Sequence, residues 1–451
     1  MNAITSEGAP QYGALYRTIW RWHFYAGLFV IPFILILSVT GGIYLFKPQL
    51  DRWQESEWTE LAANNAVSPD AQVNAALAAS PGASFHNYRL PQDSGDAALI
   101  HVGLANDAGM RDIYVSPQGD VLAIINPDDR ISAFIANIHG SLLLGKAGSL
   151  LVELAASWTI VMILTGLYLW WPRGTGLAGV IWPRWSLRGR GFLRDLHAVT
   201  GFWVAGLALV TLASGLPWTE AWGAAFRTVR AEMGWNDGPQ NWKGGGDLHA
   251  AHDHDKMMAA KPYSALTAAP SSAITLSDIV KKAQAENMPH PAIIMPPGAP
   301  ARFGPPNGNA WKLTSEAQNR PLIRAVSYDP ASGAIVSREE FADKHIIDKV
   351  INYGIAWHEG QLFGWINQFV GVLIALMLIA LCATSITIWW KRKPAKGLGA
   401  PSVPKPPAKQ RTAVFLLGAL ALFLPMLLAS IILILVVETI GKFIGKKIAV
   451  S

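Results

Sequence analysis

The 451-residue chain is 51% hydrophobic and 15% charged, well below the roughly 25% charged residues of an average soluble protein, which argues against a purely soluble fold. Its net charge of +6 is concentrated in short loops beside apolar runs, where membrane topology accounts for it and no nucleic-acid partner is needed. The single cysteine, Cys382, excludes a disulfide within the chain and any cysteine-ligated zinc or iron–sulfur centre.

In chain order, residues 1–19 read as a cytoplasmic tail and 20–46 as a first membrane helix with His23 at its start. That run is too long for a signal-peptide core, and no small-x-small cleavage site follows it. Residues 47–138 read as a small α+β module. Ser68, Pro69 and Asp70 form a helix-start signal for 71–79, the alternating segments 98–103 and 112–115 predict strands, and 116–120 is a turn between strands. Residues 139–171 hold a histidine segment and the second membrane helix. Its roughly 48 Å of helix exceeds a hydrocarbon core of about 30 Å, so His139 belongs at or beyond the outer interface, with a bend at Gly145 and Gly148. A basic loop (172–192) leads to a third helix, 193–217, with His197 at its start.

Residues 218–357 read as a linker and a second module. An aromatic segment (Trp218, Trp222, Trp235, Trp242) opens it. A helix is expected over 276–286, and strands over 322–328 and 334–337 flank a turn at 329–333. Residues 358–390 repeat the histidine segment and membrane helix, 391–412 form a basic Pro-rich loop, 413–440 a fifth helix, and 441–451 a C-terminal tail. The basic loops place 172–192 and 391–412 in the cytoplasm and both modules outside.

An internal repeat underlies this order. Counting from His139 and His358, glycine follows at +6 (Gly145, Gly364), threonine at +26 (Thr165, Thr384) and a tryptophan pair at +31 and +32 (Trp170 and Trp171, Trp389 and Trp390). Counting from His23 and His197, glycine follows at +4 (Gly27, Gly201), a hydroxyl residue at +17 (Thr40, Ser214) and glycine at +18 (Gly41, Gly215). Each half is therefore helix, module, helix, crossing in the same direction, with a repeat axis along the membrane normal.

Topology brings one histidine from each half to each of two levels, His23 with His197 and His139 with His358. One histidine at a helix end commonly serves as an interface residue; four at repeated positions also suit paired axial ligation of haem iron, one haem per level. The glycines would admit a flat macrocycle or pack helices, and the tryptophan pairs read as interface anchors. Glu153 faces either a haem edge or the headgroups. His249, His252 and His254, within the acidic segment 247–255, read as a solvated linker, with a divalent-metal site as the competing reading.

With His23, His139, His197 and His358 in this frame, the chain resembles the PepSY-associated transmembrane-helix family, and the turns around Gly119 and Gly333 look like those of PepSY modules. The resemblance spans residues 15–393; the fifth helix lies outside it. It implies an iron-regulated protein of the bacterial inner membrane, similar to siderophore-iron reductases such as the ferrioxamine reductase. The expectation is a membrane α-helical protein with five spans, a duplicated unit and two small α+β PepSY-like periplasmic modules. It would carry two haem b, held by the four histidines, and pass electrons from a cytoplasmic reductase or quinol to a ferric siderophore or other ferric chelate. The alternative is a non-enzymatic PepSY membrane sensor or permease component. No nucleophile–base constellation or phosphate loop supports peptidase or ATPase chemistry.

Overall fold

The computed structural model describes residues 13–172, 176–235, 274–300, 307–394, 397–400 and 411–448. Five helices among them are long and apolar enough to cross a membrane: Ala14–Tyr44, Gly145–Trp170, Gly189–Trp218, Trp365–Trp390 and Pro425–Ile444. Their apolar residues run all round the helix, as lipid demands. The chain divides into two compact units. One comprises the described parts of Met1–Val39, Lys146–Trp222 and Val372–Ser451; the other comprises those of Thr40–Gly145 and Gly223–Gly371.

The helices in chain order are α1 (Ala14–Tyr44), α2 (Lys47–Gln54), α3 (Pro69–Ala79), α4 (Ile131–Ser141), α5 (Gly145–Trp170), α6 (Gly189–Gly215), α7 (Glu220–Glu232), α8 (Leu276–Glu286), α9 (Ile346–His358), α10 (Trp365–Trp390), α11 (Arg411–Phe423) and α12 (Pro425–Ile448). The fifth hydrophobic stretch, expected as one helix over 413–440, divides at Leu424 because Pro425 has no N–H to continue the ladder. In the helical unit, Leu424 and Leu427 bury against Val161 and Leu216, and Trp158 donates its indole N–H to Ser430 Oγ at 3.1 Å.

The second unit holds eight antiparallel strands: β1 (Ser84–Arg89), β2 (Ala98–Gly103), β3 (Met110–Val115), β4 (Val121–Ile125), β5 (Ala292–Met295), β6 (Trp311–Ser315), β7 (Ala325–Tyr328) and β8 (Ile335–Glu339). Their order is β4-β3-β2-β1-β5-β6-β7-β8, two copies of a four-strand meander back to back. The two expected modules therefore do not close separately. β1 and β5 pair, Tyr88 with Ile294 and Arg89 with Ile293, and α3 and α8 bury Val73, Ala76, Leu276 and Ile279 in one shared core with Phe85, Ile100, Ile294 and Leu313. Four strands and one helix bury too little apolar surface alone, and a free central edge would leave its backbone unpaired.

Local signals act as the sequence implies. Ser68 caps α3, accepting from Ala71 N at 3.2 Å, and Asp70 accepts from the first N–H groups of α8, Leu276 at 3.2 Å and Ser277 at 2.9 Å. Gly119 and Gly333 take positive φ in the β3–β4 and β7–β8 turns. The strand expected over 322–328 starts late, because Pro321 sits in a 3-10 turn at Arg320–Leu322.

Candidate functional site

Two histidine pairs lie one in each unit. In the helical unit, His23 on α1 faces His197 on α6, with ring centroids 6.5 Å apart and planes at 79°. His23 Nδ1 lies 3.0 Å from the Met162 carbonyl and 3.2 Å from Thr165 Oγ1. A carbonyl only accepts, so Nδ1 carries the proton. Thr165 spends its own proton on Val161 O at 2.8 Å, leaving its oxygen to accept. The second half repeats the device on α10: His197 Nδ1 lies 3.1 Å from Thr384 Oγ1, and Thr384 donates to Ala380 O at 2.8 Å. Both rings thus keep their lone pair on Nε2.

In the sheet unit, His139 in the last turn of α4 faces His358 at the end of α9, with centroids 6.2 Å apart and planes at 72°. Thr40 Oγ1 meets His139 Nδ1 at 3.0 Å. Gly41 lies against the same ring; a Cβ there would stand 2.9 Å from His139 Cε1. Gly145 and Gly364, matched in the repeat, both take positive φ at the start of a membrane helix, where the chain turns out of each histidine segment. Around His358, Asn367 donates to the Trp357 carbonyl at 3.2 Å, while Gln361 and Gln368 each donate to Leu45 O at 3.0 Å.

Both short helices are anchored at their first turn by buried charge. Arg130, the N-cap residue of α4, donates to Glu55 at 2.7 Å, Asp112 at 2.9 Å and Tyr114 OH at 2.5 Å. Arg89 grips the same Glu55 carboxylate with two bonds of 3.1 and 2.8 Å. Burial pushes the Glu55 pKa up, but the Arg89 charge and the hydrogen bonds from Arg89, Tyr114 and Arg130 overcome it and hold Glu55 at about 2. Asp112 is likewise held at about 2, burial being outweighed by His101 and Arg130. In α9, Asp348 pairs with Arg230 of α7 at 2.5 Å, the two side chains only 1% and 5% exposed.

The pair geometry can be tested against haem. A nitrogen–metal bond of about 2 Å plus about 1.1 Å from nitrogen to ring centre puts two imidazoles on opposite sides of one metal about 6.2 Å apart, centre to centre. The observed 6.5 and 6.2 Å fit one iron between each pair. The rings of His23, His139 and His197 have Nδ1 engaged, as metal-ligating histidines do. In spacing and in Nδ1 support, the two pairs suit one iron each.

Other expected residues resolve differently. Glu153, 1% exposed, accepts from Ala221 N at 2.8 Å and Trp222 N at 3.0 Å, capping α7. At Gly27 and Gly201 an added Cβ would meet Met162 Sδ at 3.8 Å and Leu381 Cδ2 at 3.7 Å, ordinary contact distances that leave room for a small side chain. Trp170 and Trp389 each donate to a carbonyl of the loop that follows, Val180 O at 3.0 Å and Leu398 O at 2.9 Å, tying that loop to the end of its helix. His249, His252, His254 and Trp242 lie outside the described residues. Among the described residues, no three His, Cys, Asp or Glu side chains converge on a metal site.

Sequence reasoning missed Thr40, Thr165 and Thr384 as histidine supports, although their offsets in the repeat singled them out. It also missed Arg130, Glu55 and Asp348. Nothing local marks those three, because their partners are tens of residues away.

A multi-pass membrane protein with a duplicated helix–sheet–helix unit and histidines paired between its halves is the class that fold and site define. The chain belongs to the family described as the PepSY-associated TM region, whose profile matches residues 20–392. No curated protein matches it significantly.

Proposed function

We propose that this protein is a two-haem b-type reductase of the bacterial inner membrane that delivers single electrons to a ferric chelate, such as a ferric siderophore, on the periplasmic side. The observation that carries this reading is the spacing of His23 with His197 and of His139 with His358, each suited to one iron. Haem bound by two imidazoles supplies one-electron chemistry, with no vacant position for oxygen. The protein's own residues set the terms. Thr165, Thr384 and Thr40 fix ring orientation, and the carbonyl of Met162 fixes the tautomer of His23, presenting Nε2 as the ligand atom. A cytoplasmic reductase or membrane quinol supplies the electron; the chelate accepts it as Fe³⁺ becomes Fe²⁺, a poorer match for hard oxygen ligands, and iron is released for uptake.

The orientation rests on the basic loops. Reporter fusions after Arg188 and after Ser332 are expected to score cytoplasmic and periplasmic respectively; the reverse would invert the proposed direction. The function is tested with purified protein in liposomes, reduced from one side with a quinol, while Fe²⁺ is trapped with a chromogenic chelator on the other. Haem reoxidation by the ferric chelate and matching Fe²⁺ release are expected. Failure of the chelate to reoxidise a reduced, haem-loaded protein would favour the non-enzymatic alternative, a PepSY sensor or permease component.

A further inference from the structure

A third histidine pair stands within the sheet unit, on neighbouring strands. His86 of β1 and His101 of β2 have ring centroids 6.0 Å apart and planes at 58°. They occupy the sheet face opposite the shared core. Phe85, Ile100 and Val102 belong to that core, and alternation along each strand turns His86 and His101 the other way. On β3, Ile113 and Val115 are core residues, so Met110 and Asp112 share the histidine face. The ladder sets Asp112 opposite His101 and Met110 opposite Gly103. The His86 ring lies against Gly103, where a Cβ would stand 2.7 Å from Cε1 and Nε2. Met110, 8% exposed, therefore stands beside that ring. Hydrogen bonding leaves each imidazole one lone pair. Ser84 Oγ donates to Gly103 O at 3.4 Å, so it accepts from His86 Nε2 at 3.0 Å and the lone pair of His86 is on Nδ1. That atom is buried without a hydrogen-bond partner, in a residue only 5% exposed, which is costly unless something meets it. Burial, with His101 beside it, holds His86 at about 4, so the ring is neutral. His101 Nδ1 donates to Asp112 Oδ1 at 2.7 Å, leaving the lone pair on Nε2, with the carboxylate support typical of a metal-ligating histidine. Asp112 gives its other oxygen to Arg130 at 2.9 Å, so its charge is already matched.

We propose that His86, His101 and Met110 bind a single Cu(I) ion, a site separate from the two haem levels and independent of the reductase reading. With a nitrogen–metal bond of about 2 Å and about 1.1 Å from nitrogen to ring centre, a tetrahedral angle at the metal brings two ring centres to about 5 Å and a linear one to about 6.2 Å. The observed 6.0 Å is close to linear. Cu(I) accepts two nearly opposite nitrogens, and its softness suits a thioether as a further ligand; zinc holds four ligands tetrahedrally. Two neutral imidazoles and a thioether carry no charge, which favours a monovalent ion over a divalent one. His86 and His101 stand on hydrogen-bonded strands about 4.8 Å apart, so an ion fits between the rings, whereas a macrocycle there would run into the strands that carry them. The ion is linked to the first turn of α4, and so to the helix of His139, through His101, Asp112 and Arg130.

The test is an anaerobic titration of the full-length protein in detergent with Cu(I) buffered by a chromogenic chelator. Other histidines of the chain can also take Cu(I), so the readout is the difference between variants. His86→Gln and His101→Gln should each bind one Cu(I) fewer than the wild type, with the β-sheet signal in circular dichroism unchanged. Met110→Leu keeps the side-chain volume and should weaken that ion about tenfold or more, the scale of disturbing a metal site. X-ray absorption at the copper edge, on protein loaded with one Cu(I), should show nitrogen and sulfur neighbours in the wild type and no sulfur in Met110→Leu. Equal Cu(I) counts in the wild type and His86→Gln overturn the proposal, as does tighter binding of Zn²⁺ than of Cu(I) at this site. If the histidine variants lose the sheet signal, Met110→Leu decides: unchanged Cu(I) affinity, or a wild-type spectrum without sulfur, removes the site.

Discussion

His23 and His197 sit within long membrane helices, and their rings are held by threonines on the neighbouring membrane helix of the same half. His139 and His358 instead end short helices whose first turns are clamped by buried ion pairs of the sheet unit, Arg130 with Glu55 and Asp112, and Arg230 with Asp348. The ring spacing is nearly the same in both pairs, 6.5 and 6.2 Å, but the support differs in kind. Helix packing in lipid fixes the first pair, and its hydrogen bonds are made locally. The second pair depends on a folded, charge-balanced sheet, so it should respond to changes that leave the first untouched.

The largest expected effect comes from the ligands. His23→Ala and His197→Ala should each remove the same haem and leave the other, and His139→Ala and His358→Ala should remove the second. Spectra of the four variants decide it, and loss of one common haem in His23→Ala and His139→Ala would break the pairing between halves.

Next in size is the clamp. Removing one member of a buried ion pair costs about 3–5 kcal/mol, so Arg130→Ala should lower the thermal midpoint of the β-sheet signal in circular dichroism. It should also loosen the haem of the His139 pair while sparing that of His23. The same contrast has a pH form. Glu55 and Asp112 are held at about 2, below the ordinary carboxylate values of about 4. Their folded pKa values are depressed, so the stability they contribute is fully present above pH ~4 and is lost as pH falls through about 2. Acid titration should therefore disturb the His139 haem in step with the sheet, and Arg130→Gln should move that transition to higher pH. Simultaneous loss of both haems in the titration would erase the distinction.

Smaller effects follow from the ring supports. Thr165→Val and Thr384→Val should weaken haem at the His23 pair about 10- to 100-fold, and Thr40→Val should do so at the His139 pair, the usual cost of losing a ligand's hydrogen-bond partner. Haem transfer to an apo-globin acceptor measures each. The smallest is Glu153→Gln: as a helix cap its loss should cost about 1 kcal/mol or less and leave both haem spectra unchanged. A shifted spectrum would return Glu153 to a haem edge.

Much of the helical plan was legible in the sequence because lipid imposes a strong and simple pattern: long apolar runs, basic loops and glycines at turns. The repeat carried further. It matched His with His, Gly145 with Gly364 and Thr165 with Thr384 before any coordinates, and the structure gives each match a physical job. Two features were not readable. The joining of the two strand sets through Tyr88 and Ile294 is a long-range pairing that periodicity cannot encode. Arg130, Glu55 and Asp112 look like ordinary surface charges in sequence, and only folding brings them together out of water. Glu153 adds a third: its carboxylate satisfies backbone N–H groups at the start of α7, a partner 68 and 69 residues away that the sequence does not mark.

The central claim is that each histidine pair holds one haem. Protein purified from haem-replete cells should give about two haem b per chain by the pyridine haemochrome assay, with a reduced-minus-oxidised spectrum of six-coordinate, bis-histidine iron. A preparation from such cells that contains no haem, and takes up none when haem is added, would contradict the account.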